Sequence, residues 1–153
     1  MKKTKILVLL ILVVLLSACS STKKQLSVDE FKKIMRDNDY YVVNSKEQFS
    51  EYDYIEDSYI AIDSNRVFQI EFYKLSGIDN SIAFYDYNKD IFDAYKTSDD
   101  EYTDIDKDNN SKYILTTENS YKVLSRIDET VIYINVDVKY KDDIQSILKK
   151  LGY

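Results

Sequence analysis

Apolar residues recur along this chain at two periods, one helical and one strand-like. Phe31, Ile34 and Met35 mark a single face at helical spacing, and Asn38 stands where that helix would stop. Just ahead of them Ser27 and Glu30 fit a capping box, while Leu26 and Phe31 occupy the two positions of a hydrophobic staple. A helix opening after Ser27 is therefore predicted, and "YYVV" at Tyr40 to Val43 follows it as a short strand.

From Asp57 the period shortens to two, with predicted strands at Ser58 to Ile62 and Arg66 to Leu75. In the second, Phe68, Ile70 and Phe72 alternate with Gln69, Glu71 and Tyr73, the pattern of a half-buried strand. Ser64-Asn65 reads as a two-residue hairpin turn between them. Beyond the Ser76-Gly77 break a second helix is expected from Asn80 to Thr97, with Phe84, Tyr87, Ile91 and Tyr95 as its core stripe. The acidic stretch "TSDDEYTDIDKDNNS" then reads as a loop.

Three further strands, Lys112 to Thr117, Tyr121 to Ile127 and Val131 to Val138, form a meander through "ENS" and "DET". A last helix from Lys141 carries Ile144, Ile147, Leu148 and Leu151 inward and ends at Gly152. Alternating strands with one polar face favour an antiparallel sheet. The expected fold is α+β, a two-layer sandwich of about five or six mostly antiparallel strands with helices packed on one face.

The first 18 residues follow a different logic. Lys2, Lys3 and Lys5 precede 11 uninterrupted apolar residues, Ile6 to Leu16, and then the small residues Ser17 and Ala18, the layout of a secretory signal peptide. Such a run covers only about 16 Å of a hydrocarbon core about 30 Å thick, too short to span it. Leu16-Ser17-Ala18-Cys19 resembles the lipobox of bacterial lipoproteins. The resemblance implies cleavage between Ala18 and Cys19, a diacylglyceryl group on the Cys19 thiol, and attachment to the outer side of the cell membrane. Two acyl chains satisfy the requirement of stable anchoring for more than one.

Residues 1–18 are then a signal peptide, 19–25 the lipidated cysteine and a short tether, and 26–153 a single domain. Six tether residues reach at most about 20 Å, which keeps the domain close to the bilayer. Because Cys19 is the only cysteine, a lipid on it leaves the fold without disulfides. Lys23 and Lys24 beside the anchor would add attraction to an anionic leaflet, although two charges fall short of a polybasic cluster.

Loss of residues 1–18, which hold three lysines and no acid, leaves 18 basic against 27 acidic side chains, a net charge of −9. Such a surface repels nucleic acid and leaves cationic partners, metal ions and neutral ligands open. The absence of histidine, proline and tryptophan with 15 tyrosines resembles the usage of small lipoproteins from low-GC Gram-positive bacteria. Without histidine there is no Ser-His-Asp or Cys-His arrangement and no zinc site of the common kind. With two glycines no glycine-rich phosphate loop can be written.

Three candidate chemistries remain. Asp104, Asp106 and Asp108 have the one, three, five spacing that opens a calcium loop, but Asn109 stands where its glycine is needed and Leu115 where its bidentate glutamate belongs. Tyr52 and Tyr54 in "EYDYIED", with Glu51, Asp53, Glu56 and Asp57, could stack on and hydrogen-bond a sugar or peptide, and Tyr121 and Tyr133 could line a sheet face. A carboxylate pair for glycoside hydrolysis is the third, with no local motif favouring any one pair. The expectation is a non-enzymatic, membrane-anchored module on the extracytoplasmic face that binds a protein or peptide partner or serves an envelope complex. A lipoprotein binding a small ligand or Ca2+ is the alternative, and a carboxylate-dependent hydrolase a further one.

Overall fold

The computed structural model describes residues 22–153. Cys19, its Ala18 neighbour and the apolar run before them lie outside the described residues. The elements in chain order are α1 (Val28–Asp37), β1 (Tyr41–Asn44), a 3-10 turn (Lys46–Phe49), β2 (Ile55–Ile62), β3 (Gln69–Leu75), α2 (Ile78–Asp93), β4 (Glu101–Lys107), β5 (Asn110–Thr116), β6 (Ser120–Ile127), β7 (Thr130–Asp137), a second 3-10 turn (Val138–Tyr140) and α3 (Lys141–Leu151). The fold is α+β. One seven-stranded sheet runs β1-β2-β3-β7-β6-β5-β4, antiparallel at every pairing.

The sheet has seven strands where five or six were expected, and the difference is β4. The acidic stretch read as a loop is an edge strand, exposed at every position, that pairs Glu101 with Thr116 through to Lys107 with Asn110. Nothing buried marks it, so the hydrophobic pattern carries no sign of it. Hydrogen bonds from β5 hold it, a determinant that apolar periodicity does not record.

Alternate residues of the same strands feed two separate cores. Ile70 and Phe72 of β3 with Ile132 and Ile134 of β7 join Phe31 and Met35 of α1 and Ile144 and Leu148 of α3. Tyr73 and Leu75 of β3, Leu124 of β6 and Val131 of β7 join Tyr85 and Phe92 of α2. Helical side chains thus cover both sets of strand residues, where the sequence pattern predicts cover on one face. Phe31 stacks on Phe72 with ring centroids 4.6 Å apart, which sets α1 against the centre of the sheet.

Helix α1 opens as the sequence predicts. Ser27 Oγ accepts from the Glu30 N–H at 3.2 Å, and the Glu30 carboxylate accepts from the Ser27 N–H at 3.0 Å. Helix α3 closes on Gly152 at φ +82°, a left-handed C-cap that suits glycine.

Helix α2 is turned relative to its expected stripe. Its buried residues are Ser81, Tyr85 and Phe92, whereas Tyr87 and Tyr95 are about two-thirds exposed at 69% and 66%. Ser81 seats the helix, its hydroxyl donating to Asp128 O at 2.6 Å from the β6–β7 turn. Apolar residues lie on both flanks of α2, so spacing alone does not fix which side faces the sheet. Tyr95 is instead drawn to the buried Lys122, whose ammonium lies 4.4 Å from its ring centroid.

The β2–β3 connection is also longer than a two-residue turn. It spans 63–68 and is organised by the buried Asp63, whose carboxylate accepts from the N–H groups of Asn65, Val67 and Phe68 at 2.9, 2.6 and 2.9 Å. Arg66 takes a left-handed φ of +59° within it. The tether end is fixed as well: Asn109 Nδ2 donates to Lys23 O at 2.8 Å, and Leu26 is buried. The described chain therefore begins beside the β4–β5 and β6–β7 turns.

Candidate functional site: an aromatic cleft

Tyr52 and Tyr54 lie in the segment between the first 3-10 turn and β2. A Tyr52 N–H bond to Phe49 O at 2.9 Å and an Ile55 N–H bond to Tyr52 O at 3.2 Å fold this segment tightly. Tyr54 O accepts from the Ser76 N–H at 2.8 Å, which ties it to the end of β3 and the start of α2. Two successive turns thus carry both rings to the flank of α2. The rings meet edge to face, centroids 5.7 Å apart.

They form one wall of a cleft of about 490 Å³. Phe49, Tyr73, Phe84 and Tyr87 complete its aromatic lining. Tyr73 links the walls: its centroid is 5.5 Å from Phe49 and 4.8 Å from Phe84. Its hydroxyl donates to Glu71, and burial with that carboxylate pushes its ionisation well above the usual tyrosine range. Tyr54 is pushed up too, first by burial and then by Tyr52, Tyr87 and Asp53 nearby.

The polar part of the lining is small and uncharged. Asn80 Nδ2 donates to Ser76 O at 2.9 Å and Asn88 Nδ2 to Phe84 O at 2.7 Å. These bonds anchor each amide to the backbone four residues earlier and leave both as neutral polar groups of the lining. Aromatic faces and the nearby Asp53 favour a ligand that is apolar or cationic.

Of the residues singled out from sequence, Tyr52 and Tyr54 are brought together with partners that sequence reading misassigned. Phe84 and Tyr87 were visible as a stripe on α2, but a core stripe was the expectation. Phe84 does pack on the α2 core, while Tyr87 stands in the open on the cleft side. Tyr121 and Tyr133 do not share a face: Tyr121 belongs to the α1–α3 core, and Tyr133 lies on the other side with its ring 5.0 Å from Phe92.

Asp104 and Asp106 lie on β4 and Asp108 in the turn that follows. Asp104 pairs with Lys89 at 2.5 Å and Asp106 accepts from Ser111 Oγ at 2.7 Å. An extended backbone does not curl its oxygens round one ion as a calcium loop does. Among the described residues no group of three or more His, Cys, Asp or Glu side chains is arranged to hold a metal.

No protein-family model, no curated protein and no solved structure matches this chain. Among the described residues no helix is long and apolar enough to cross a membrane.

Proposed function

We propose that this chain is a non-enzymatic binding module, anchored through a diacylglyceryl group on Cys19 to the outer face of a cell membrane, that engages an envelope protein or peptide. The observation that carries the binding role is the cleft itself: six aromatic side chains around about 490 Å³, with Tyr52 and Tyr87 left 47% and 69% exposed at its rim. Exposed aromatics gathered round a concave surface are the composition of interface hot spots. The acidic balance of the chain and the aromatic lining of the cleft point to a partner segment that presents a basic or aromatic side chain. The lipobox resemblance at Leu16 to Cys19 supports the anchor.

A photo-crosslinking residue placed at Tyr52 or Tyr87 of the full chain in cells tests the reading. The same protein is expected to be captured from both positions and not from Lys149, an exposed position on α3. Identical products from all three positions, or none from the cleft positions, would overturn it.

A further inference from the structure

A second cavity of about 300 Å³ lies elsewhere under α2. Its floor is a row of side chains on three neighbouring strands, because Asp106 of β4 pairs with Ser111 of β5 and Ser111 with Arg126 of β6. Tyr85 and Asp86 of α2 close it from above, and Asp108 lies at the β4–β5 turn.

Arg126 is only 2% exposed in a chain dominated by acids. Its guanidinium donates to Ser111 Oγ at 3.0 Å and to Asp128 O at 3.4 Å. Among the described residues no carboxylate lies within ion-pair distance of it. Its Nε and the hydroxyl of Tyr85, 4% exposed, are buried and find no hydrogen-bond partner among the described residues. Two orphaned buried donors on residues that line one cavity are rare, because each has lost water and gained nothing in return. A buried guanidinium and a phenol are the groups that bind an acid oxygen pair.

The remaining lining has the opposite sign. Asp86, Asp106 and Asp108 outnumber Lys107 there. A lone anion entering would gain Arg126 and meet three carboxylates. A ligand that carries its own ammonium a few bonds from its acid group satisfies both ends.

We propose that this cavity is a binding site for a small zwitterion, with its acid group on Arg126 and Tyr85 and its ammonium at Asp86 and Asp106. A free α-amino acid and the phosphoethanolamine headgroup of a lipid share that chemistry. The site is separate from the aromatic cleft, so either assignment can fail without the other.

Calorimetric titration of the full chain in detergent with glycine, phosphoethanolamine, acetate and methylammonium tests it. Glycine or phosphoethanolamine is expected to bind and acetate and methylammonium not to, and the tighter of the first two identifies the source. Tyr85→Phe, which keeps the ring and its packing, should weaken binding about tenfold. Asp86→Asn, at an exposed position, should weaken it similarly without affecting folding. Acetate binding as tightly as glycine would overturn the zwitterion assignment. So would no binding of any probe at about 10 mM, tenfold above a millimolar Kd, or Tyr85→Phe and Asp86→Asn that bind as the parent does.

Discussion

Tyr113 Oη donates a 2.5 Å hydrogen bond to Asp93 Oδ1, joining the middle of β5 to the last residue of α2. Tyr113 is otherwise buried in the α2 core, so this bond sets how far the helix end stands from the sheet. The Lys96 ammonium, 2.7 Å away, and then the Tyr113 hydroxyl hold the Asp93 carboxyl below its usual value.

Tyr113→Phe should therefore destabilise the fold by about 1–2 kcal/mol at neutral pH, the lower part of the range for a hydrogen bond to a charged group, because the Asp93 side chain is 43% exposed and solvent screens it. A carboxyl depressed in the folded state contributes stability above its ordinary pKa and loses it as pH falls through the lowered one. The gap between parent and Tyr113→Phe is thus expected to narrow in acid. Urea unfolding at pH 7 and pH 3 measures it, and an equal gap at both would show that Asp93 is not the partner that matters.

The capping box of α1 makes a second acid-sensitive joint. Lys24 first, then the Ser27 N–H and hydroxyl, hold the Glu30 carboxyl down at about 2. Its contribution is fully present above pH 4.5 and fades toward pH 2. Ser27→Ala should cost about 1 kcal/mol. Glu30→Gln keeps an acceptor for the Ser27 N–H and should flatten the pH dependence over that window, read from denaturant midpoints.

Asp63 organises the β2–β3 connection by accepting three backbone N–H groups. Burial alone would raise its pKa, but those three donors outweigh it and the net direction is down. Asp63→Ala strands the donors and should cost about 2–3 kcal/mol, whereas Asp63→Asn retains one acceptor oxygen and should cost less. Thermal melts of the two variants decide it; equal losses would mean that the N–H groups find water instead.

Cys19 carries the anchor proposal. Cys19→Ala should abolish acylation and release or misprocess the protein, seen as loss of the membrane fraction after ultracentrifugation. A variant that stays membrane-bound and normally processed would mean that "LLSACSS" was misread.

How much of this was legible beforehand follows from what each element depends on. The Ser27–Glu30 box, the Phe31 and Met35 face and the Ile144 to Leu151 stripe are local patterns, and the structure has them as read. Strand β4 depends on a partner strand for every bond it makes and buries nothing, so no local pattern could reveal it. The facing of α2 rests on Ser81, a small polar residue whose value lies in close approach to Asp128. Tyr52 and Tyr54 were legible as candidates, but their cleft needed Phe84 and Tyr87 from a helix whose orientation the sequence left open. Arg126 gave no signal at all, since a lone arginine in a strand does not show that its charge will be buried without a carboxylate.

The cleft separates binding from folding by position. Tyr87 and Tyr52 are substantially exposed, so Tyr87→Ala and Tyr52→Ala should each change stability by less than about 0.5 kcal/mol. Tyr73 is 5% exposed and packs against Phe49 and Phe84, so Tyr73→Ala should cost about 3–5 kcal/mol, the range for a buried aromatic. If the cleft is the docking site, the rim variants lose the partner while melting like the parent. Pull-down of the partner captured from Tyr52, with melting curves on the same preparations, sets the two effects side by side. Rim variants that keep the partner and melt normally would move the interface away from these rings.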